Sequence, residues 1–364
     1  MTRRTRIAVV FGGRSTEHSI SCVSAGSVLA ALDPERYDVV AIGITADGHW
    51  VLAPEDFKAL EPHDGNLPSI VDGSGASVAL AGDPSVDGLV VLSPGDGPLT
   101  LAGVDVVFPL LHGPFGEDGT VQGLLELAGL PYVGSGVLAS AVSMDKEYMK
   151  LVLAARGLPV GPYVALRAED ADRALDAVAH LGWPVFVKPA RGGSSIGISR
   201  VDDASGLLVA LEIAWAHDPK ALVEAAVSGR EIECGVLAGI GGAPPDASLP
   251  AEVRVTTGGF YDFNAKYLDD ATEFDIPALL PDDVTRQVRD LACRTFIAVD
   301  AEGLARVDFF LQPDGELLVN ELNTMPGFTP QSMFPRMWAA TGLDYPALID
   351  RLVRTALVDG TGLR

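Results

Sequence analysis

Long apolar runs and paired cysteines are absent from this 364-residue sequence. No apolar stretch approaches the roughly 20 residues that a helix needs to cross a bilayer. Cys22, Cys234 and Cys293 lie far apart without a C-x-x-C spacing. This spacing argues against a disulfide framework and against a structural zinc site. We therefore expect buried, reduced thiols in a cytoplasmic protein.

Positive charge is also scarce. The chain has 26 lysines and arginines against 49 aspartates and glutamates, which gives a formal net charge of −23. Such a chain repels nucleic acid and anionic membranes unless it carries a local basic patch, and none occurs in the sequence. We expect neither nucleic acid nor a membrane as a partner. At the N-terminus, the short apolar run at residues 7–11 predicts a first strand rather than a signal peptide.

Two common phosphate-binding motifs are missing as well. The chain has no G-x-x-x-x-G-K-[ST] loop and no G-x-G-x-x-G that opens a helix. It does have VFVKPARGGSSIG at residues 185–197, in which Lys188 ends a predicted strand before a glycine-serine loop. Backbone N–H groups in such a loop can cover phosphates. Taken alone, the loop is as typical of a plain hairpin turn.

Strand and helix signals alternate along the chain, which predicts an α/β architecture. Residues 63–98 are rich in Gly, Asp, Ser and Pro and predict a hairpin-containing surface excursion. A domain boundary is expected near residues 134–136. The other predicted strands are residues 37–44, 104–109, 198–201 and 221–224. A first helix is predicted to be capped by Ser15 or Thr16 and to end at Ala31. The later predicted helices are residues 120–128, 139–156, 204–216 and 283–299.

Residues 303–327, GLARVDFFLQPDGELLVNELNTMPG, form the most informative segment. Asp314 and Gly315 are typical of a two-residue hairpin turn between two apolar strands. That turn would pair Asp308 directly with Glu321. Two opposed carboxylates repel each other and destabilise the strand pair, so we expect a compensating cation.

Arg306 and Asn323 would form a second cross-strand pair on the same face, because side chains alternate along a strand with period two. Asn323 adds a neutral oxygen, and Arg306 suits a phosphate. Since Mg²⁺ takes hard oxygen ligands together with phosphates, the hairpin predicts a metal and phosphate site. Two alternatives remain open. The face could simply be solvated, or a three-residue turn could place Arg306 opposite Leu322.

Isolated polar residues elsewhere are weaker signals. Glu17 precedes a predicted helix, where a carboxylate could complement the helix dipole or hold an ammonium group. His112 lies between a strand and a glycine loop, and Lys146 stands at helical spacing in SMDKEYMK. Glu224 and Glu231 flank a turn-like Ser-Gly pair. Each of these residues alone is typical of a solvated surface or loop.

Taken together, the segments resemble the D-alanine–D-alanine ligases, which are members of the ATP-grasp superfamily. The shared motifs follow the family's order over essentially the whole chain: FGGRSTEHSIS, LHGPFGEDGTVQGLLELAGLPYVGSG, SMDK, VKPARGGSSIG, YDFNAKYLDD, GLARVDFF and NELNTMPGFTPQSMFP. The resemblance implies a three-domain ATP-grasp fold. An N-terminal parallel-sheet α/β domain (1–136) would bind substrate, and central (137–227) and C-terminal (228–364) α+β domains would sandwich ATP.

The resemblance also implies the reaction. ATP would phosphorylate the carboxylate of one D-alanine, and the amine of a second D-alanine would displace phosphate to form D-alanyl-D-alanine, a peptidoglycan precursor. D-lactate or D-serine as second substrate is the alternative. The family further implies two Mg²⁺ (or Mn²⁺) ions and a homodimer formed through the N-terminal domain.

Site residues follow from the matching positions. The metal ligands would be Asp308, Glu321 and Asn323. Contacts to ATP would come from Lys146, Lys188, Ser194, Ser195, Gly197, Glu224, Glu231 and Lys266. The family often has a lysine directly after the glutamate at position 224, whereas this chain has Ala225. That difference puts a side-chain contact with adenine in doubt, but not the use of ATP.

Substrate contacts are carried over in the same way. Glu17 would hold the first ammonium, with His112 near its carboxylate, and Tyr267 would join Ser194 and Glu17 in a network that links a lid to the substrate. The remaining matches are Arg306 and the Gly327 N–H for the developing oxyanion, and Ser332 with Met333 for the second carboxylate. The tyrosine at position 267 favours an amine over a hydroxy acid as second substrate.

Overall fold

The computed structural model describes residues 3–53, 57–60, 67–71, 73, 75–85, 89–93, 97–100, 103–255 and 272–362. Within these ranges the chain forms three sheets covered by helices, which confirms the predicted α/β class. The helices are α1 (His18–Ala31), α2 (Thr120–Leu127), α3 (Val137–Met144), α4 (Lys146–Ala155), α5 (Ala174–Val178), α6 (Leu207–Trp215), α7 (Asp282–Ala298), α8 (Met333–Thr341) and α9 (Tyr345–Asp359). Among the described helices, none has the length and apolar character needed to cross a membrane.

The first sheet has parallel strands at one end and an antiparallel extension at the other. Its strands are β1 (Thr5–Gly12), β2 (Tyr37–Ile44), β3 (Trp50–Leu52), β4 (Ser77–Leu80), β5 (Leu89–Ser93), β6 (Gly97–Thr100) and β7 (Val106–Pro109). They lie in the order β6-β5-β4-β3-β2-β1-β7, and β1 runs parallel to both β2 and β7. The hairpins expected within residues 63–98 are present as β4, β5 and β6, and they join this sheet rather than standing apart.

Helix α1 begins at His18, later than caps at Ser15 or Thr16 would give, so the predicted cap is wrong. The Ser15 hydroxyl donates instead to the backbone oxygen of His112 at 2.7 Å, and its Oγ accepts the Glu17 N–H at 3.2 Å. The loop between β1 and α1 is therefore tied to the segment after β7. This connection fixes Glu17 beside His112.

The second sheet contains four strands, β8 (Tyr163–Arg167), β9 (Val185–Pro189), β10 (Ser199–Val201) and β11 (Lys220–Ala225), in the antiparallel order β10-β9-β11-β8. The single helix predicted for residues 139–156 is wrong, because the chain breaks at Asp145 into α3 and α4. The Asp145 carboxylate accepts the N–H groups of Glu147 and Tyr148 and so caps α4.

The third sheet is also antiparallel. It is formed by β12 (Arg230–Leu237), β13 (Asp246–Ala247), β14 (Ala251–Val255), β15 (Thr272–Asp275), β16 (Leu304–Leu311) and β17 (Leu317–Asn323). The main path is β15-β14-β12-β16-β17, with β13 paired to β12. Helices α8 and α9 leave this sheet and share one apolar core with α1, β1 and β7, so the two ends of the chain pack together.

The turn between β16 and β17 differs from the sequence expectation. Leu311 pairs with Leu317, and the Gln312 N–H donates to the Glu316 carbonyl at 2.9 Å. The turn therefore holds three residues, 313–315, and the predicted two-residue turn is wrong. Continued without interruption, this register would place Arg306 opposite Leu322.

A β-bulge restores the register that matters for the site. Asn320 is an extra residue in β17, and beyond it Asp308 pairs with Glu321 and Arg306 pairs with Asn323. The predicted cross-strand pairs are thus confirmed, although two deviations that cancel each other produce them.

A buried glycine in β12 tests how α8 packs on the third sheet. A Cβ at Gly235 would lie 2.9 Å from Trp338 Nε1 and 3.1 Å from the Phe334 ring. We expect Gly235→Ala to lower the free energy of unfolding by about 1–3 kcal/mol, because an added methyl group overpacks the core. Urea denaturation at fixed pH measures the change.

Gly123 in α2 is the matched control, since a Cβ there meets no atom within 4 Å. Gly123→Ala should raise the stability by about 0.5–1 kcal/mol, because alanine loses less entropy in a helix. Equal stability of Gly235→Ala and the unmodified chain would contradict the packing described.

Candidate functional site

A cavity of about 580 Å³ is lined by residues of the second and third sheets and of the segments that follow β1 and β7. This volume lies in the range of small-molecule sites. Most of the residues predicted for the site line it: Glu17, His112, Lys146, Lys188, Ser194, Ser195, Glu224, Glu231, Arg306, Asp308, Glu321, Asn323, Gly327, Ser332 and Met333. The geometry therefore brings together residues as far apart in sequence as Glu17 and Met333.

Among the predicted residues that the structure describes, Gly197 is not part of that lining. A Cβ at Gly197 would meet His217 and Pro189 at 2.6 and 3.0 Å, so this glycine permits tight packing of the loop on its base. Lys266 and Tyr267 lie outside the described residues.

The β16–β17 hairpin supplies the acidic part of the cavity. Arg306 donates from Nε to Asp308 Oδ1 and from Nη2 to Oδ2, both at 2.7 Å. Asn323 Nδ2 donates to the same Oδ2 at 3.0 Å, and Lys146 Nζ lies 3.6 Å from Glu321 Oε2. Two cations of the chain thus offset the repulsion between the opposed carboxylates, where the sequence alone pointed to a bound ion.

The donor set on this face still suits a hard cation. Two carboxylates and an amide oxygen are the ligand types of Mg²⁺ and Mn²⁺. The described part of the chain contains no cluster of three or more His, Cys, Asp or Glu side chains suited to a metal. An ion held by Asp308 and Glu321 would therefore complete its shell with Asn323, water or phosphate oxygens.

Glu233 is a site residue that the sequence reasoning missed. It pairs with Asp308 across β12 and β16, and its Oε2 lies 3.3 Å from Arg306 Nε. Burial alone would lower the pKa of Arg306, but the carboxylates of Asp308, Glu233 and Glu321 raise it well above its ordinary value. Period-two spacing from Glu231 was the available signal for Glu233.

A second wall of the cavity is built around Glu224. Lys188 Nζ lies 2.6 Å from Glu224 Oε2, and Lys150 Nζ lies 3.1 Å from Oε1. Burial alone would raise the pKa of Glu224, but the two lysines lower it to about 2. Lys150, which is 2% exposed, was also missed. It stands one helical turn after Lys146, so the i, i+4 spacing places both lysines on one face of α4.

Lys146 is buried, not the surface charge that an isolated helical lysine would suggest. Its Nζ donates to the Gly192 carbonyl at 2.8 Å, and its backbone N–H donates to Ala190 at 3.0 Å. Lys220 supports this arrangement from β11, because its Nζ donates to Asp145 Oδ1 at 2.7 Å. The start of α4 is thereby joined to the glycine-serine loop.

The glycine-serine loop reaches across the cavity to Glu17. The Ser194 hydroxyl donates to the Glu17 carboxylate. A Cβ at Gly113 would lie 2.9 Å from Glu17 Oε2, and one at Gly193 would lie 3.0 Å from the same atom. Only glycine allows two backbone segments to approach this carboxylate so closely. Ser194 and Ser195 adopt left-handed φ angles of +51° and +58°, which are uncommon for residues with side chains.

His112 and Glu117 both contact the backbone of Met325. His112 Nδ1 lies 3.0 Å from the Met325 carbonyl oxygen, and burial lowers the pKa of this histidine. Glu117 accepts the Met325 N–H at 3.0 Å and the Gly113 N–H at 2.7 Å. Burial and the charge of Glu17 raise the pKa of Glu117 to about 8. Glu117 belongs to a motif of the sequence resemblance but was not singled out.

The loop after β17 completes the cavity. Ser332 Oγ accepts the Thr329 N–H at 3.1 Å and lies 2.9 Å from Thr329 Oγ1. A Cβ at Gly327 would lie 3.1 Å from Ser332 Oγ, so the glycine backbone and the serine hydroxyl are neighbours. Met333 begins α8 directly behind them.

Comparison with known proteins identifies relatives over the whole chain. The family model described as D-ala D-ala ligase N-terminus matches residues 6–135, and the one described as D-ala D-ala ligase C-terminus matches residues 152–354. A D-alanine--D-alanine ligase of Mycobacterium sp. (strain JLS) is 60% identical over 100% of this chain and 99% of its own length. That of Rhodococcus erythropolis is 59% identical over 99% of both.

Solved structures agree with these sequence matches. The VanG D-Ala:D-Ser ligase from Enterococcus faecalis superposes with a TM-score of 0.87 at 33% identity, over 97% of this chain and 100% of its own. The D-alanine-D-alanine ligase from Coxiella burnetii gives a TM-score of 0.82 at 36% identity, over 97% and 94%. With a cavity that unites the motifs of the sequence resemblance, this chain belongs to the D-alanine–D-alanine ligase family.

Proposed function

We propose that this chain joins two D-alanine molecules with ATP through an acyl phosphate, and so makes a peptidoglycan precursor. The observation that carries the proposal is the shared cavity. It unites the Glu17–Ser194 contact, the lysine pair around Glu224 and the Arg306–Asp308 hairpin. Phosphoryl transfer depends mainly on positioning and on neutralising charge, and these groups supply both.

We assign ATP to the lysine wall, the part of the cavity formed by Lys146, Lys150 and Lys188. Lys146 and Lys188 would contact its phosphates beneath the loop of Ser194, Ser195 and Gly197, and Lys266 would reach the γ-phosphate. Glu231 would hold the ribose. Glu224 would border the adenine. Lys188 and Lys150 lower the pKa of its carboxyl group and so keep it anionic. We add Lys150 to the assignment because it lines the same cavity and its Nζ lies 3.1 Å from Glu224 Oε1.

Asp308, Glu321 and Asn323 are assigned as the ligands of two Mg²⁺ (or Mn²⁺) ions. When bound, such ions neutralise the charge on the phosphate oxygens. Arg306 stays cationic beside them, because the surrounding carboxylates raise its pKa. We assign Arg306, together with the Gly327 N–H, to the charge that develops on the carbonyl oxygen when the second amine attacks.

We assign the two amino-acid substrates to the part of the cavity that is lined by Glu17, His112, Ser332 and Met333. Glu17, joined to Ser194 and in our proposal to Tyr267, would hold the ammonium of the first D-alanine, with His112 near its carboxylate. Ser332 and Met333 would bind the carboxylate of the second. A solved relative is a D-Ala:D-Ser ligase, so D-serine is a second candidate acceptor, and D-lactate is a third.

The broader assignments are proposals of the same kind. We retain three domains at residues 1–136, 137–227 and 228–364, a homodimer formed through the first domain, and a cytoplasmic location. The N-terminal family match ends at residue 135, which supports a boundary there.

D-alanine-dependent release of phosphate from ATP tests the function. We expect release in the presence of Mg²⁺ and formation of D-alanyl-D-alanine, with little product from D-lactate. In competition, the share of D-alanine should rise with pH, because only the deprotonated amine attacks whereas a hydroxyl is not activated in this way. A folded chain that releases no phosphate with D-alanine would refute the proposal.

Glu321→Gln tests the metal assignment. We expect kcat to fall by about 100-fold or more, because bound cations supply several kcal/mol of charge stabilisation. The urea midpoint should stay near that of the unmodified chain. Glu316→Gln, at the exposed turn of the same hairpin, is the control and should leave kcat unchanged. Full activity of Glu321→Gln would show that the ligand assignment is wrong.

Lys150→Met tests the wall around Glu224. The change leaves this largely buried carboxylate with Lys188 as its remaining lysine partner. We expect KM for ATP to rise on the order of tenfold, as for the loss of one charged hydrogen bond. Initial rates at varied ATP measure it, with Arg156→Met at the exposed end of the same helix as control. An unchanged KM would remove Lys150 from the ATP site.

A further inference from the structure

Glu117 joins two backbone segments that carry different parts of the site. Its Oε2 accepts the N–H of Gly113, and its Oε1 accepts the N–H of Met325, 208 residues further along the chain. The bond lengths are 2.7 and 3.0 Å. One carboxyl group thus spans the loop after β7 and the loop after β17, and each of its oxygens accepts one backbone N–H.

Met325 is held at both of its backbone polar groups, which belong to the two successive peptide units on either side of its Cα. Glu117 accepts its N–H, and His112 contacts its carbonyl oxygen at 3.0 Å. Pro326 follows with a fixed φ, and Gly327 comes next. The peptide units before and after Met325 are therefore both held, and the second of them leads through Pro326 to the Gly327 N–H.

The Gly113 side of this bridge lies beside Glu17, the residue assigned to the first substrate. Gly113, which donates to Glu117, approaches Glu17 so closely that a Cβ would lie 2.9 Å from Glu17 Oε2. The segment before Gly113 is also held by the Ser15 hydroxyl, which donates to the His112 carbonyl oxygen. A change at Glu117 would therefore disturb mainly the loop that carries Gly327. Among the described contacts, this carboxylate touches both loops directly.

We propose that Glu117 is a positioning residue that sets the Gly327 N–H against the carbon attacked by the second substrate. The inference rests on the proposed function, because Gly327 is assigned there to the developing oxyanion. Glu117 acts through the Met325 backbone, so its effect belongs to the second step, in which the amine attacks. The affinity for ATP, which is assigned to the lysines around Glu224, should be nearly independent of Glu117.

Glu117→Gln is the test variant, because an amide offers one acceptor oxygen where the carboxylate offers two. One of the two backbone bonds is then lost at nearly constant volume. We expect kcat for dipeptide formation to fall by about 10- to 100-fold, the size of effect that a small misplacement of a reacting geometry produces. KM for ATP should stay within about twofold, since the variant spares ground-state binding of the nucleotide.

Positional isotope exchange in γ-labelled ATP separates the two steps. Exchange with one D-alanine bound reports reversible phosphorylation of the carboxylate, so Glu117→Gln should retain it while dipeptide formation slows. A merely structural role would lower both rates in the same proportion. Rates are expressed per ATP-binding site, as counted by calorimetry, so that an unfolded fraction does not enter the comparison.

Glu126→Gln is the matched control. Glu126 also accepts two hydrogen bonds, from the Tyr132 hydroxyl at 2.9 Å and from the Gly362 N–H at 2.7 Å, away from the cavity. It should leave kcat unchanged. Should Glu117→Gln fail to fold, Glu117→Asp keeps both carboxyl oxygens and shortens the reach by one methylene, and the same loss of kcat is expected.

The proposal is overturned if either folded variant at position 117 keeps the kcat of the unmodified chain, if its KM for ATP rises instead, or if isotope exchange falls as much as dipeptide formation. Failure of the proposed function looks different. In that case the unmodified chain itself releases no phosphate with D-alanine.

Discussion

The pairing of Asp308 with Glu321 on one face of the third sheet is the constraint around which the cavity is arranged. Two opposed carboxylates are unfavourable in a sheet unless positive charge lies close to both. Arg306 holds Asp308 from the same strand, and Lys146 reaches Glu321 from the start of α4. Because α4 is joined to the glycine-serine loop, neutralising this hairpin also fixes the position of the loop that is assigned to the phosphates.

Part of this site was predictable because its signal is local. Strand alternation and the turn residues placed Asp308 opposite Glu321, and this pairing is confirmed although the turn itself was wrong. The bulge in β17 could have been predicted from the spacing of its apolar residues. Val319 and Leu322 are both buried on the core face, yet they lie three positions apart instead of two. Such an interruption of period two is typical of a bulge, here at Asn320.

The rest of the site depends on contacts between segments far apart in sequence. Lys150, Glu117 and Glu233 are ordinary helix, loop and strand residues when each is considered in its own segment. They become site residues through Glu224, Met325 and Arg306, which the fold brings beside them. Local spacing could have placed Glu233 and Lys150 on the same faces as Glu231 and Lys146, but no local pattern shows which distant partners they meet. The break at Asp145 did have a local signal, because aspartate is a common helix N-cap and its side chain accepts the N–H groups of the first helical turn.

The acidic composition now has a structural counterpart. A chain with a formal net charge of −23 binds an anion only where its cations are concentrated, and Lys146, Lys150, Lys188 and Arg306 all line one cavity. Each of them already has a carboxylate partner, so the cavity is not simply a cationic patch. Fixed ion pairs hold the cations in place before the nucleotide arrives, which reduces the reorganisation needed for phosphoryl transfer. Exposed acidic residues elsewhere repel other polyanions, so the same charge distribution favours a small phosphate ligand over nucleic acid.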